Sequence, residues 1–371
     1  MSGPVRVLYV NGGSLDYGGI STVLLNYVGR FDRRTVAVDF LVHGEAPGPR
    51  EEEALALGAR VIHAPYRRAD YFGNRRALLR AFSDGYDIVH AHMDGMNGYA
   101  LALAGRAGVR VRVSHSHNTA FLTNNPVKAA FHRLTANRIP QVATDLFACT
   151  ERAARFLYGD AVVDRGRVRI VRNAIPLKRF AFDPAARERV RRELALQNRF
   201  ALCQAGRFDY QKNQEFLMDL LPELVRRRPE TVLVFAGDGP GREQLAERAA
   251  SAGLAEHVRF PGFYQDIPAL FSGCDGFALP SRFEGLGIVL IEAQKNGLPC
   301  VASDPVPRDT NITGCAYLPL TDPAAWTETL CALRPAPSRD VPDGAFIAAG
   351  YDIDVEAEAL QRLYVEMAER P

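Results

Sequence analysis

The feature that most constrains this chain is a rhythm in which short apolar, β-branched runs alternate with amphipathic helical patterns. In the first half the runs are Val5–Val10, Ala37–Val42, Arg60–Ala64, Asp87–His92, Val109–Ser114 and Asp145–Cys149. Runs that are apolar on both faces and separated by helices pair in parallel, because each crossover helix covers a face of the sheet. The rhythm restarts at Phe200–Gly206 and continues through Thr231–Ala236, His257–Phe260, Gly276–Leu279, Cys300–Ser303 and Ala316–Leu318. A chain of 371 residues exceeds the roughly 250–300 residues that one hydrophobic core serves. The expected fold class is therefore α/β, with two doubly wound domains. The expected boundaries are 1–175, 176–350 and a closing segment, 351–371. The hinge falls near Arg167–Pro176, where a strand runs into a Pro-ended turn ahead of a charged helix around Pro184–Leu196. The closing segment spaces Ile353, Ala357, Leu360, Leu363, Tyr364 and Met367 at helical intervals, which predicts an amphipathic helix returning to the N-terminal domain. No tandem repeat or low-complexity tract interrupts this plan.

Charge excludes one class of partner. The chain carries 45 Lys and Arg against 43 Asp and Glu, a net +2, so no overall field draws it to nucleic acid. Arg226-Arg227-Arg228 reads as a solvated helix face. Six cysteines stand singly at positions 149, 203, 274, 300, 315 and 331, several of them in apolar runs, and are expected to be buried thiols in a reducing compartment. The run from Met1 into Val5–Val10 is too short for a signal h-region, and no apolar stretch reaches transmembrane length. The expectation is a cytoplasmic protein, with peripheral contact at the inner face of a membrane left open.

The most informative stretch is Leu279 to Ala293, reading LPSRFEGLGIVLIEA. It leaves a strand, turns through Gly285 and Gly287 and enters a helix, at the end of the sheet where open α/β folds bind ligands. Glycines let backbone amides approach a ligand, and the helix start adds unpaired N–H donors suited to phosphate. Glu284 precedes the turn and Glu292 lies eight residues on, about two helical turns. Two carboxylates beside an anion site suit sugar or ribose hydroxyls, from which a carboxylate accepts several hydrogen bonds. The competing reading makes Glu292 a first-turn helix acid and Glu284 a solvated turn residue. A second stretch, Ala205 to Asn213, also follows a strand and precedes a helix. In it Arg207 can fork onto phosphate oxygens and Lys212 supplies a second cation, a pair able to neutralise a departing diphosphate. Gly237-Asp238-Gly239-Pro240 is a third glycine-rich turn after a strand. Asn11 to Ile20 is a glycine-rich loop without strict dinucleotide-fingerprint spacing.

Histidines gather as His90-Ala91-His92 and His115-Ser116-His117, each at a predicted strand end. Such a pair shares one strand face and could bind zinc. No Cys or carboxylate motif completes a ligand set, so the expectation is no metal, with histidines contacting sugar hydroxyls or phosphate, or satisfied in the core. Asp352-Ile353-Asp354 is read as helix capping.

Taken together, these motifs resemble the retaining glycosyltransferases of family 4, of the GT-B fold. Glu284 through Glu292, with Pro280-Ser281 before and Gly297-Leu298-Pro299 after, is similar to the family signature. Gly206-Arg207 with Lys212-Asn213, Gly237-Asp238-Gly239, Phe260-Pro261-Gly262, Asn173-Ala174-Ile175 and Phe147-Ala148-Cys149-Thr150 fall in the family's order. Ser114-His115-Ser116-His117-Asn118 is typical of enzymes of bacterial capsular or exopolysaccharide assembly. The resemblance implies two Rossmann-like domains facing across a cleft, the first binding acceptor and the second a nucleotide-sugar donor. It implies Arg207 and Lys212 on the diphosphate, Glu284 near the donor sugar and Glu292 on the ribose. Gly206, Gly237, Gly285, Leu286 and Gly287 would offer backbone to the donor, with the base near Phe263. Gly18 and Gly19 would face the donor phosphate, and His117, or else His115, would reach the donor sugar. His92, Asn118 and Asn173 are further candidates for sugar or acceptor contact. Gln294-Lys295 departs from the family's apolar residues after the second glutamate, and Lys295 could alter the local field. Asn173-Ala174 stands where an Asn-Gly is common.

The implied reaction is front-face displacement with retention, without metal or other cofactor. UDP-sugars are favoured over GDP-sugars as donor, and the acceptor is a glycan, a lipid-linked sugar or a small molecule. Rival readings are a transferase of secondary metabolism acting on an aminocyclitol-like acceptor, a sugar-nucleotide epimerase or phosphorylase of the same plan, and a non-catalytic nucleotide-sugar-binding protein. Acceptor choice would lie in the loops Tyr66–Asn74 and Thr119–Pro140. The second mixes Phe121, Leu122, Phe131 and Leu134 with Lys128, His132, Arg133 and Arg138, which fits an anionic membrane surface or a substrate-gripping helix pair.

Overall fold

The structure, a computed structural model, describes residues 3–120, 126–335 and 338–370. Phe121, Leu122 and the side chain of Lys128 lie outside the described residues. The strands are β1 (Val5–Asn11), β2 (Val36–His43), β3 (Val61–Ala64), β4 (Ile88–His92), β5 (Val111–Ser116), β6 (Asp145–Ala148) and β7 (Val168–Ile170). A second set follows: β8 (Phe200–Ala205), β9 (Thr231–Ala236), β10 (Val258–Gly262), β11 (Gly276–Leu279), β12 (Cys300–Ser303) and β13 (Ala316–Leu318). They form two parallel sheets, ordered β3-β2-β1-β4-β5-β6-β7 and β10-β9-β8-β11-β12-β13. In each sheet the winding reverses once, between β1 and β4 and between β8 and β11. Adjacent loops diverge at such a point and leave a crevice beyond the strand carboxyl ends.

The chain divides into two compact units, residues 1–175 with 350–371, and residues 176–349. In the first, Leu8, Val10, Leu41, Val89, Leu101 and Leu146 share a core. The segment Ile353–Glu369 is a helix packed against β1, β2 and the Gly19–Val28 helix. Asp352 caps it by accepting from the amides of Asp354 and Val355, which is the capping role read from the Asp352-Ile353-Asp354 triplet. Ile175 and Ile353 meet backbone to backbone, the Ile353 amide donating to the Ile175 carbonyl at 3.1 Å.

In the second unit β8 and β9 are buried along their whole length, as two covered faces require. Leu217, Leu221, Leu233, Phe235 and Trp326 fill the core beside them. Two of the basic side chains there are structural. Arg187 and Arg191 clamp the two oxygens of Asp275, at 2.6 and 2.9 Å, and Asp275 also accepts from the Ala201 amide at 2.9 Å. Arg228 corrects the expectation of a fully solvated triplet: its guanidinium stacks over Phe200, 3.4 Å from the ring centre, while Arg226 and Arg227 pair with Glu223 at the surface. None of the six cysteines is in a disulfide, and all but half-buried Cys331 are buried. Among the described residues no helix is long and apolar enough to cross a membrane.

Removing a buried counter-ion strands its partners, at about 3–5 kcal/mol. The prediction is that Asp275→Ala destabilises the second unit by about that amount, read as a fall in the urea midpoint of its unfolding transition. A loss below about 1 kcal/mol, the scale of an exposed ion pair, would show that the clamp is not integral to the fold.

Candidate functional site

In the second unit the loops after β8 and β11, which flank the switch point, are stitched to each other. Gln211 Nε2 donates to the Phe283 carbonyl at 3.1 Å and to Glu284 Oε2 at 3.3 Å. The Arg282 amide returns a bond to the Gln211 carbonyl at 2.8 Å, and Asn213 Nδ2 donates to the Pro280 carbonyl at 3.0 Å. These bonds bring Lys212 Nζ to 2.6 Å from Glu284 Oε1, which also accepts from Ser281 Oγ at 2.6 Å. Both partners are shielded, with side-chain exposures of 18% and 6%. Glu284 is thus a held, buried carboxylate, which excludes the reading of it as a solvated turn residue.

Glycine makes this packing geometrically admissible. Gly237 has φ +138°, and a Cβ there would come within 2.1 Å of the Gly206 carbonyl oxygen. The tips of the β8 and β9 turns can therefore touch only if this position is glycine. Gly206 underlies the Lys212 side chain, and a Cβ there would lie 3.1 Å from Lys212 Cε. Gly287, at φ +87°, is the residue before the helix Ile288–Lys295.

That helix start amends one expectation. Residues 284–287 are not helical, so Glu292 sits just past the first turn of the helix, not two turns beyond Glu284. Glu292 is 8% exposed and makes no side-chain hydrogen bond or ion pair among the described residues. Burial pushes its carboxyl up to about 7, while Arg179 and Lys212 pull the other way. Arg179, in the short turn Leu177–Phe180, carries no motif signal and was missed by the sequence reading. Gln211 and Ser281 lie inside the quoted motifs, but their roles depend on loop pairing that spacing does not reveal.

The other predicted residues of this unit are placed as follows. Arg207 is exposed and, among the described residues, has no side-chain hydrogen bond or ion pair. Gly285 and Leu286 are buried in the turn before the helix, and Phe263 is 43% exposed just beyond β10. Lys295 does not reach the site: it bonds Asp343 at 2.9 Å and the Val341 carbonyl. Gln294 pins the Thr310–Thr313 loop. Both departures from the family pattern are structural.

In the first unit Gly18 and Gly19 are exposed at the start of the Gly19–Val28 helix. Asp16 Oδ1 secures the turn by accepting from the Gly18 amide and Ser21 Oγ, each at 2.9 Å. A Cβ on Gly19 would meet nothing within 4 Å, so open space borders the helix start. Asn173 is buried, and its Oδ1 has no partner.

The histidines gather at the ends of β4 and β5. Parallel pairing of β4 with β5 brings the two pairs side by side as one buried group of four rings. Ring centres lie 4.2 Å apart for His90 and His92, 4.2 Å for His115 and His117, and 5.3 Å for His90 and His115. Burial, reinforced by charge repulsion from neighbouring histidines, holds His90, His92 and His115 well below the ordinary imidazole range. Burial takes His117 down to about 4 against the opposing pull of Asp94. Asp94 sits at φ +47° and accepts from the His117 amide at 2.9 Å and from Asn118 Nδ2. His92 Nδ1 lies 2.8 Å from His117 Nε2.

Two Rossmann-like parallel-sheet units are the architecture of the GT-B glycosyltransferases, and the comparisons give the family. Residues 18–174 match the Glycosyl transferase 4-like domain, and residues 186–312 match Glycosyl transferases group 1. The chain is 34% identical to the Bacillus subtilis protein EpsF, named as a glycosyltransferase, over 97% of this chain and 96% of that one. It is 29% identical to a GDP-mannose-dependent alpha-(1-6)-phosphatidylinositol monomannoside mannosyltransferase of Mycolicibacterium smegmatis, over 77% of this chain and 76% of the relative. Among solved structures, Anabaena HepE in complex with UDP and glucose superimposes with a TM-score of 0.76 at 18% identity, over 98% of this chain and all of that one. The chain belongs to the group 1 glycosyltransferases of family 4.

The raised carboxyl of Glu292 has a signed consequence. A carboxyl whose pKa is higher folded than unfolded, about 7 against an ordinary 4.5, destabilises the fold as pH rises between those values, and the loss persists above pH 7. Glu292→Gln is predicted to match the ligand-free parent near pH 4 and to exceed its stability by on the order of 2–3 kcal/mol at pH 8. Urea unfolding at the two pH values checks this; equal differences at both would mean that Glu292 is not desolvated.

Proposed function

We propose that this chain transfers a sugar with retention from a UDP-sugar to a hydroxyl of a glycan or lipid-linked acceptor, by front-face displacement. The observation that carries the reading is Glu292: a buried, unpaired carboxyl near a shielded Lys–Glu ion pair is costly in a free protein and is repaid by a diol. Ribose hydroxyls donate to it, and the base lies toward Phe263. Lys212 and Arg207 take the diphosphate, with backbone amides of Gly285 to Gly287 at the helix start. As the glycosyl bond breaks, charge grows on that diphosphate, and contacts that strengthen with it lower the barrier. Lys212 must then share its charge between Glu284 and phosphate, which holds Glu284 near the donor sugar. Gly18 and Gly19 offer a second amide-rich turn. His117, fixed through Asp94 and His92, is the imidazole assigned to the donor sugar, with His115, Asn118 and Asn173 as further contacts. This machinery stabilises the leaving group by charge from the protein itself, so the transfer step calls for no metal ion on the diphosphate.

UDP is favoured because the Anabaena neighbour is a UDP complex; the GDP-mannose dependence of the mycobacterial relative makes GDP the rival. For the acceptor, Ser114-His115-Ser116-His117-Asn118, typical of enzymes of bacterial capsular or exopolysaccharide assembly, supports a glycan or lipid-linked sugar. A basic and aromatic surface supports membrane contact: Phe72 is 75% exposed on the helix bearing Arg75, Arg76 and Arg80, and Arg67 lies over Tyr99 and Phe131.

Contacts to ionised groups are worth about 1.5–3 kcal/mol each, or roughly 10–150-fold in rate. Arg207→Ala and Lys212→Ala are each predicted to lower turnover by at least that factor; near-normal turnover in both would refute the assignment. A panel of nucleoside diphosphates fixes the base, since a ligand at a hundred times its Kd adds about 2.7 kcal/mol of stability. Stabilisation by GDP and not UDP would reverse the donor choice. Conversion of the donor without any acceptor would instead indicate an epimerase.

A further inference from the structure

The four-histidine group holds more nitrogen donors than the fold pairs. His92 Nε2, His115 Nε2 and His117 Nδ1 are buried without a hydrogen-bond partner. A buried nitrogen without a partner is unfavourable, and three in one place are unexpected in a core that could have been apolar. Their neighbours explain which nitrogens are held and which are free. His90 Nδ1 lies 2.7 Å from the Tyr364 hydroxyl, which lies 2.9 Å from that of Tyr9. His92 Nδ1 is occupied by His117. His90 Nε2 is hydrogen-bonded with His115 Nδ1 at 3.2 Å, a contact that an ion between the two rings would replace, and His92 Nε2 remains without a partner.

We propose that His90, His92 and His115 form a binding site for a transition-metal ion of the zinc class. One nitrogen from each of the three lies within 4.8 Å of the others. Two nitrogens at about 2.0–2.1 Å from a tetrahedral ion are roughly 3.3 Å apart, close to the separation already present between His90 and His115. Small side-chain rotations close the rest. The site has the expected outer layer, because metal-bound histidines donate their second N–H to a fixed acceptor, and Tyr364 and Tyr9 provide such a relay for His90. Three imidazoles and no carboxylate select zinc, cobalt, nickel or copper over magnesium or calcium. All three ligands sit on β4 and β5 of the first unit. The ion ties the ends of these two strands together and, through the His92–His117 bond, fixes the His117 ring. Metal retention reads the site without use of the donor.

The test uses the full chain with any affinity tag removed, treated with a chelator, incubated with zinc or cobalt sulfate and desalted. The expected result is about one retained zinc per chain, with X-ray absorption showing imidazole scatterers at about 2.0–2.1 Å and visible ligand-field bands for the cobalt form. His115→Gln should abolish retention, while His257→Gln, on the other unit, should keep it. Because His115→Gln could fail to fold, the absorption spectrum of the unaltered protein decides independently. Absence of retained metal in the unaltered protein, undiminished retention in folded His115→Gln, or a spectrum without imidazole would each overturn the site and leave water between the orphan nitrogens.

Discussion

Desolvated charge is the constraint from which the second unit's architecture follows. A carboxylate removed from water without a partner loses several kcal/mol and raises its own pKa to escape. Glu292 occupies that position, whereas Glu284, a few residues earlier, is buried to a similar degree but is neutralised by Lys212. Two acids of one motif thus have opposite electrostatic situations, one paired within the protein and one with no hydrogen bond or ion pair among the described residues. The loop pairing through Gln211, Asn213, Ser281 and Arg282 keeps this difference fixed, because without it the flexible Lys212 side chain would relax toward solvent.

Backbone geometry carries that constraint down to single residues. The β8 and β9 turns touch through Gly206 and Gly237, and only a missing side chain allows the approach. The left-handed Gly287 then redirects the chain into the Ile288 helix, leaving amide donors at its start. An anion site of the proposed kind does not need a long helix or a strict dinucleotide fingerprint: a switch point, two glycine turns and a nearby cation suffice.

Much of this was legible before any coordinates. Both faces of the sheets are covered, so nearly every strand announced itself as a continuous apolar run, and the errors are of one or two residues at the ends. Glycine-rich turns after strands marked the ligand end of the second sheet, since turn chemistry is local. Pairings that depend on tertiary packing were not legible. The Lys212–Glu284 bond joins residues 72 apart in sequence, and Arg179 answers Glu292 from a segment with no motif. The histidine pairs were visible, but their union across β4 and β5 depends on strand register. The pairing of Lys295 with Asp343 was not legible either, so the sequence could say only that this charge could alter the local field.

The two units share a topology yet put opposite chemistry at their switch points. The second collects charge: Lys212, Arg207, Arg179, Glu284 and Glu292 surround the ends of β8 and β11. The first collects imidazoles that burial keeps neutral, together with the exposed residues Gly18 and Gly19. Glycosyl transfer has the same asymmetry. The donor brings a diphosphate whose charge must be held through bond breaking, and the acceptor brings a neutral hydroxyl that gains from hydrogen-bonding partners but not from fixed charge. Burial that holds the histidines neutral leaves their ring nitrogens as lone-pair donors and not as fixed cations, so this end of the first sheet offers hydrogen bonding and coordination where the second offers charge, at a cost in stability.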